Sequence, residues 1–92
     1  MKYVVLNCEE LYERRRAHRY LAKTLEFPDY YGKNLDALFD CLTELSDCTI
    51  VLKGADVLRQ AGGYGVRVLQ VLEEAAQANP HLCLETEDRG EC

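Results

Sequence analysis

The chain reads as a small α/β fold, a three-stranded parallel sheet packed by helices in the order β-α-α-β-α-α-β. Three observations predict it. Short runs rich in β-branched, aromatic or aliphatic residues occur at 3–6 (Tyr-Val-Val-Leu), 49–52 (Thr-Ile-Val-Leu) and 82–86 (Leu-Cys-Leu-Glu-Thr). Between these runs the apolar residues recur at helical spacing instead. The connections, from Cys8 to Cys48 and from Gly54 to His81, are far too long for hairpins and contain helices, so parallel strands with right-handed crossovers are expected.

Each element has its own justification. After the first strand, residues 10–25 form an amphipathic helix. Leu11, His18, Leu21 and Leu25, with Arg14 or Arg15 among them, mark its apolar stripe, while Arg14, Arg15, Arg16, Arg19 and Lys23 fall mostly outside it. Pro28 stops this helix, and residues 28–32 make a loop carrying aromatics. Residues 34–45 form the next helix, with Leu35, Leu38, Leu42 and Leu45 on one face. Lys53-Gly54 closes the second strand. A short helix at 55–60 is broken by Gly62-Gly63, and a longer one at 66–78 turns Val68, Leu69, Leu72, Ala75 and Ala76 inward. Pro80 precedes the third strand, and residues 87–92 read as a frayed acidic tail. At 92 residues the whole is expected to be one domain, without repeat or linker.

Composition narrows the function. Apolar residues make up 48% and charged residues 29%, which excludes a disordered chain, a collagen and a coiled-coil rod. The apolar runs are too short to span a bilayer, and no apolar stretch follows Arg14–Arg16 to make a signal sequence, so no membrane partner is expected. The formal charge of −5 disfavours direct nucleic-acid binding and favours a basic partner. Five cysteines, an odd number without any C-x-x-C spacing, argue against a disulfide framework or a zinc site and for a reducing, cytoplasmic compartment. Cys41, Cys48 and Cys83 read as core filler, and the terminal Cys92 as exposed. No cofactor is expected. His18 and His81 have no catalytic partner at motif spacing, and Gly62-Gly63-Tyr64-Gly65 does not follow a strand, so it is no phosphate loop. With no second apolar face evident, a monomer is expected.

The informative stretch is Pro28-Asp29-Tyr30-Tyr31-Gly32-Lys33-Asn34-Leu35-Asp36-Ala37-Leu38-Phe39-Asp40-Cys41-Leu42-Thr43. At 100° per residue, Asp36, Asp40 and Thr43 project together beside the leucine stripe, and Phe39 lies at the boundary. Asp36 and Asp40 are four apart, a like-charge pair that costs an isolated helix about 0.2–0.5 kcal/mol. Between Glu26 and Asp47 there are six acids and one base, Lys33. Such a cluster is often no more than a solvated face. Here it adjoins a loop bearing Tyr30-Tyr31-Gly32, and exposed aromatics beside carboxylates are the composition of an interface centre.

These residues resemble the barstar family of ribonuclease inhibitors. The family pattern P-x-Y-Y-G-x-N-L-D-A-L-x-D-C-L is matched at every fixed position by residues 28–42, and Val68-Leu69-Gln70-Val71-Leu72-Glu73-Glu74-Ala75 is a second match. Element order and length agree too, so the resemblance covers nearly the whole chain. It implies a one-to-one complex with a basic, secreted, barnase-like ribonuclease whose active site is plugged by the loop and second helix. It further implies that Asp40 takes the place of an RNA phosphate and Tyr30 packs on the catalytic histidine. Asn34, Asp36 and Thr43 supply surrounding polar contacts, and Glu74 an outer ion pair. Tyr31, Gly32, Phe39 and Leu45 complete the expected partner-binding set.

The chain departs from the family at the rim. Phe39 replaces a tryptophan, Glu44-Leu45 a Gly-Trp pair, Thr49 a proline and Ala78 an outer acid. Two other functions stay open at this point. One is a binding module of the same fold directed at another basic protein. The other, and weaker, is a divalent-metal or acid–base site on Asp36 and Asp40, which lacks the further ligands that a magnesium ion takes.

Overall fold

A β-strand alternates its side chains between two faces, so strand pairing decides which residues meet the helices. The computed structural model, which describes residues 2–87, pairs β1 (Lys2–Asn7), β2 (Cys48–Lys53) and β3 (Leu82–Glu87) into one parallel sheet of order β1-β2-β3. Each strand is a residue or two longer than its apolar run. Right-handed crossovers between strands laid down in this sequential order fall on the same side of the sheet. One face is therefore covered and the other open. Val4 pairs with Ile50 and Leu6 with Leu52, and these four, with Cys48 and Leu82, are buried. On the opposite face Tyr3 and Val5 of the edge strand β1 are 66% and 45% exposed, while Thr49 and Val51 of the central strand are buried between their neighbours.

That parity corrects the reading of the cysteines. Cys83 is in register with Thr49, on the open face, and is exposed rather than core filler. Cys48 is buried as expected, Cys41 is half-buried, and Cys8, which was not counted with the core, is buried too. Burial pushes the Cys8 thiol up to about 11, with Arg59 pulling the other way. The acidic tail beyond Glu87, with Cys92, lies outside the described residues, and Glu87 itself ends β3.

The covered face carries four helices, α1 (Arg14–Thr24), α2 (Leu35–Thr43), α3 (Ala55–Ala61) and α4 (Tyr64–Ala78). The single helix expected over 10–25 is instead divided. Asn7 accepts a hydrogen bond from the Glu9 amide (3.1 Å) and starts a 3-10 turn, Cys8–Leu11. Glu13 is extended, and its carboxylate accepts from the Arg16 amide (2.9 Å), capping α1 afresh. Leu11, Ala17, His18, Leu21 and Leu25 are buried, whereas Arg14 and Arg15 are both exposed and leave the stripe to their neighbours. The first turn of α1 holds three arginines and no acid, the reverse of what the helix dipole favours. α3 and α4 meet across Gly62 and Gly63, both at positive φ (73° and 77°), which is why a glycine pair stands there. α4 begins two residues earlier than expected, and Gly65 in its first turn lies against Leu58 and the Leu11 carbonyl, where a Cβ would come within 2.4 Å of Leu58 Cδ1.

His18 ties three of these parts together. It is 1% exposed, and its Nδ1 and Nε2 each hydrogen-bond a tyrosine hydroxyl at 2.5 Å, from Tyr31 in the 28–34 loop and Tyr64 at the start of α4. A neutral imidazole donates at one nitrogen and accepts at the other, so one hydroxyl accepts while the other donates. Burial, reinforced by the nearby Arg14 charge, holds the His18 pKa below its ordinary value of 6.5. The unfolded chain therefore binds the proton more readily than the folded one. Stability from this site is complete above pH 6.5 and is lost as pH falls through the lower folded-state pKa. The urea midpoint of the protein is expected to be level just above pH 6.5 and to decline as pH falls below it; a His18→Gln variant should lose that decline. A wild-type midpoint unchanged over this range would show that His18 protonates freely in the fold.

Candidate functional site

α2 is short, and its two ends are fixed by asparagines. At the N-terminus the 28–34 loop closes with the Tyr31 amide on the Pro28 carbonyl (3.0 Å), and Lys33 adopts a positive φ of 57°. Asn34 then caps the helix, its Oδ1 accepting from the Ala37 amide at 2.7 Å. At the other end the helix stops at Thr43, two residues before the expected Leu45. Buried Asn79, just past α4, donates its side-chain amide to the carbonyls of Leu42 (3.1 Å) and Leu45 (2.9 Å). Its Oδ1 accepts from the His81 amide (3.0 Å), so one side chain joins the end of α2 to the entry of β3. Between these ends Leu38 and Leu42 are fully buried, which fixes the rotation of α2 and turns Asp36 and Asp40 to solvent.

The structure gathers some of the expected partner-binding residues and separates others. Asp36, Phe39, Asp40 and Glu74 line one groove of about 450 Å³ between α2 and α4, with Leu35 and Val71. Phe39 is half-buried against the core, so the groove has an apolar wall and carboxylates around it. Among the described residues none of Asp36, Asp40 and Glu74 forms an ion pair. Tyr30 is 84% exposed on the loop above. Tyr31 is not. It is 6% exposed, packed against Phe27 with the rings tilted at 52° (centroids 4.9 Å) and bonded to His18, so it supports the loop from within. Of the two tyrosines in the expected partner-binding set, only Tyr30 is thus exposed, because His18 and Phe27 hold Tyr31 in the interior. Gly32 and Asn34 are exposed beside Tyr30. Thr43 is half-buried, its hydroxyl donating to the Asp40 carbonyl (2.9 Å), and Leu45 lines a different cleft with Lys2, Glu26 and Asp47.

Sequence reasoning missed two features. Asn79 was visible only as a residue before a proline at a helix end; its partners are more than thirty positions away. Arg14 and Arg67, on separate helices, share a cleft of about 270 Å³ with Asn34, Asp36 and Tyr64. Asp36 therefore stands at a border, acidic groove on one side and basic cleft on the other. No group of three or more His, Cys, Asp or Glu residues among the described ones is placed to hold a metal ion, and no described helix is long and apolar enough to cross a membrane. What the arrangement offers is a row of desolvatable carboxylates with an aromatic anchor.

Comparison with known proteins points the same way. The family model described as Barstar (barnase inhibitor) matches residues 1–90. A Bacillus subtilis (strain 168) protein named "Putative ribonuclease inhibitor YrdF" is 39% identical over 80 residues, covering 84% of this chain and 88% of that protein.

Since Asn79 satisfies two carbonyls at the end of α2, Asn79→Ala should cost about 1–3 kcal/mol in urea denaturation. It should also speed hydrogen exchange at the Glu44 and Leu45 amides. Wild-type stability in this variant would show that water replaces the amide without loss.

Proposed function

The chain belongs to the barstar family, and we propose that it inhibits a basic, barnase-like secreted ribonuclease by binding one-to-one and occluding the active site with the 28–34 loop and α2. The observation that carries this reading is the groove of α2 and α4 in which, among the described residues, Asp36, Asp40 and Glu74 have no ion pair, with an exposed Tyr30 on the loop that leads into α2.

The chemistry is phosphate mimicry. A nuclease that cleaves RNA holds the scissile phosphate with cationic donors, and a carboxylate accepts paired guanidinium hydrogen bonds much as a phosphate does. Asp40, near the middle of α2, enters that position. Tyr30 packs as a rigid anchor on the nuclease histidine, Asn34, Asp36 and Thr43 frame the contact, and Glu74 pairs at its edge. The unneutralised acids also steer a basic enzyme toward this face, so association slows as salt rises. Phe39, Leu45 and Ala78 change the size and charge of the rim, which bears on which nuclease fits rather than on how it is blocked. In this reading the inhibitor is a monomer when free, resides in a reducing, cytoplasmic compartment, uses no cofactor and is not an enzyme.

The deciding experiment is a stoichiometric titration of the protein into a barnase-like ribonuclease digesting RNA. Activity should vanish at one equivalent, and Asp40→Ala should weaken inhibition by at least about 30-fold, the ~2 kcal/mol that marks an interface hot spot. The same variant should fold as stably as wild type or gain a few tenths of a kcal/mol, roughly the relief of the Asp36/Asp40 repulsion. Undiminished RNA cleavage at excess protein would direct the search to another basic protein, and equal inhibition by Asp40→Ala would rule out phosphate mimicry.

A further inference from the structure

Residues of α1 and Lys33 of the 28–34 loop form a concave, strongly basic surface. A cavity of about 550 Å³ is lined by Glu13, Arg14, Arg15, His18, Arg19 and Lys33. That volume is in the range of small-molecule pockets. Among the described residues Arg15, Arg19 and Lys33 have no ion pair, while Arg14 also hydrogen-bonds Tyr64. Glu13 is the single acid of the lining, and its carboxylate is engaged by the Arg16 amide. His18 forms part of the wall with both ring nitrogens committed to tyrosines, so the arginines and the lysine are the free donors.

Two independent elements converge to make this concentration of charge. Three consecutive arginines occupy the first turn of α1, where the helix dipole already places positive charge; Glu13 caps the turn and Glu10 pairs with Arg16 (2.8 Å), which leaves Arg14 and Arg15 without an acidic partner among the described residues. Lys33 comes from the other side, on the 28–34 loop, through a left-handed backbone conformation that a non-glycine residue rarely adopts. Local rules of helix charge and backbone preference are broken together at the walls of one cavity.

We propose that this cavity is a binding site for a compact anion carrying two or more phosphate groups, held by Arg14, Arg15, Arg19 and Lys33. Planar guanidinium groups match phosphate oxygens in pairs, and a lysine adds a point charge. The concave shape favours a compact ligand. The formal charge of −5 on the chain disfavours a long polyanion such as an RNA strand, which would extend beyond the cavity. The site is separate from the α2 groove but adjoins it through Arg14, which lines both the cavity and the cleft that contains Asp36.

The test is calorimetric titration of the full chain with sodium pyrophosphate at constant ionic strength, followed by amide chemical shifts. Saturable one-to-one binding is expected, with shifts concentrated at residues 14–19 and Lys33. A double substitution, Arg15→Gln with Arg19→Gln, should weaken binding at least tenfold while the circular dichroism spectrum is unchanged. Removing two lysines elsewhere, Lys2→Gln with Lys53→Gln, should leave affinity within about twofold, since neither lines the cavity and both sit in surface pairs. The proposal fails if pyrophosphate shows no saturable binding, or if the lysine pair lowers affinity as much as the arginine pair. It also fails if a short RNA oligonucleotide binds where pyrophosphate does not.

Discussion

Both crossover connections lie on one side of a three-stranded parallel sheet, and the rest of the molecule depends on that constraint. Right-handed crossovers between strands in simple sequential order leave no helix for the second face. One layer of helices must therefore bury Val4, Leu6, Ile50, Leu52 and Leu82 on one side, while Tyr3, Val5 and Cys83 remain in water on the other. Within that layer α2 packs on α4. With Leu38 and Leu42 fully buried and Asn79 holding the end of the helix, α2 has no rotational freedom left, and its carboxylates can only face outward.

His18 plays the corresponding role for the loop. A buried imidazole needs both nitrogens satisfied, and the tyrosines that satisfy it come from the 28–34 loop and from α4. Tyr31 is thereby committed to the interior, and Tyr30, its neighbour, is directed to solvent. The exposed ring of Tyr30 is thus carried by a loop that a polar contact fixes from within, and in the proposed complex that rigidity would reduce what is lost in ordering on binding.

Much of the fold was legible in the chain. Strand positions, strand direction and the order of helices follow from local composition and from connection length, both of which act over a few neighbouring residues. The acidic character of residues 26–47, and the shared face of Asp36 and Asp40, needed nothing more than helical geometry. What was misread involved competition between local and distant partners. The division of the first helix depends on Asn7 and Glu13 supplying caps, and a periodicity argument does not register a glutamate as a helix start. The burial of Tyr31 in place of an exposed pair depends on His18, thirteen residues away. Cys83 is a matter of strand parity, where one step reverses inside and outside.

By itself, then, the sequence determined the α/β class, the membership of segments in helices and strands, and the acidic loop–helix surface that places this chain in the barstar family. Those properties are set by the spacing of side chains along a covalent chain. The tertiary structure alone decided that Glu74 joins Asp36 and Asp40 around one groove, that Asn79 clamps α2, and that Arg14, Arg15, Arg19 and Lys33 enclose a basic cavity beside it. Each brings together residues from separate segments. Such meetings are governed by which faces must be buried together and which buried polar groups must find partners, and that is settled only when the whole core closes.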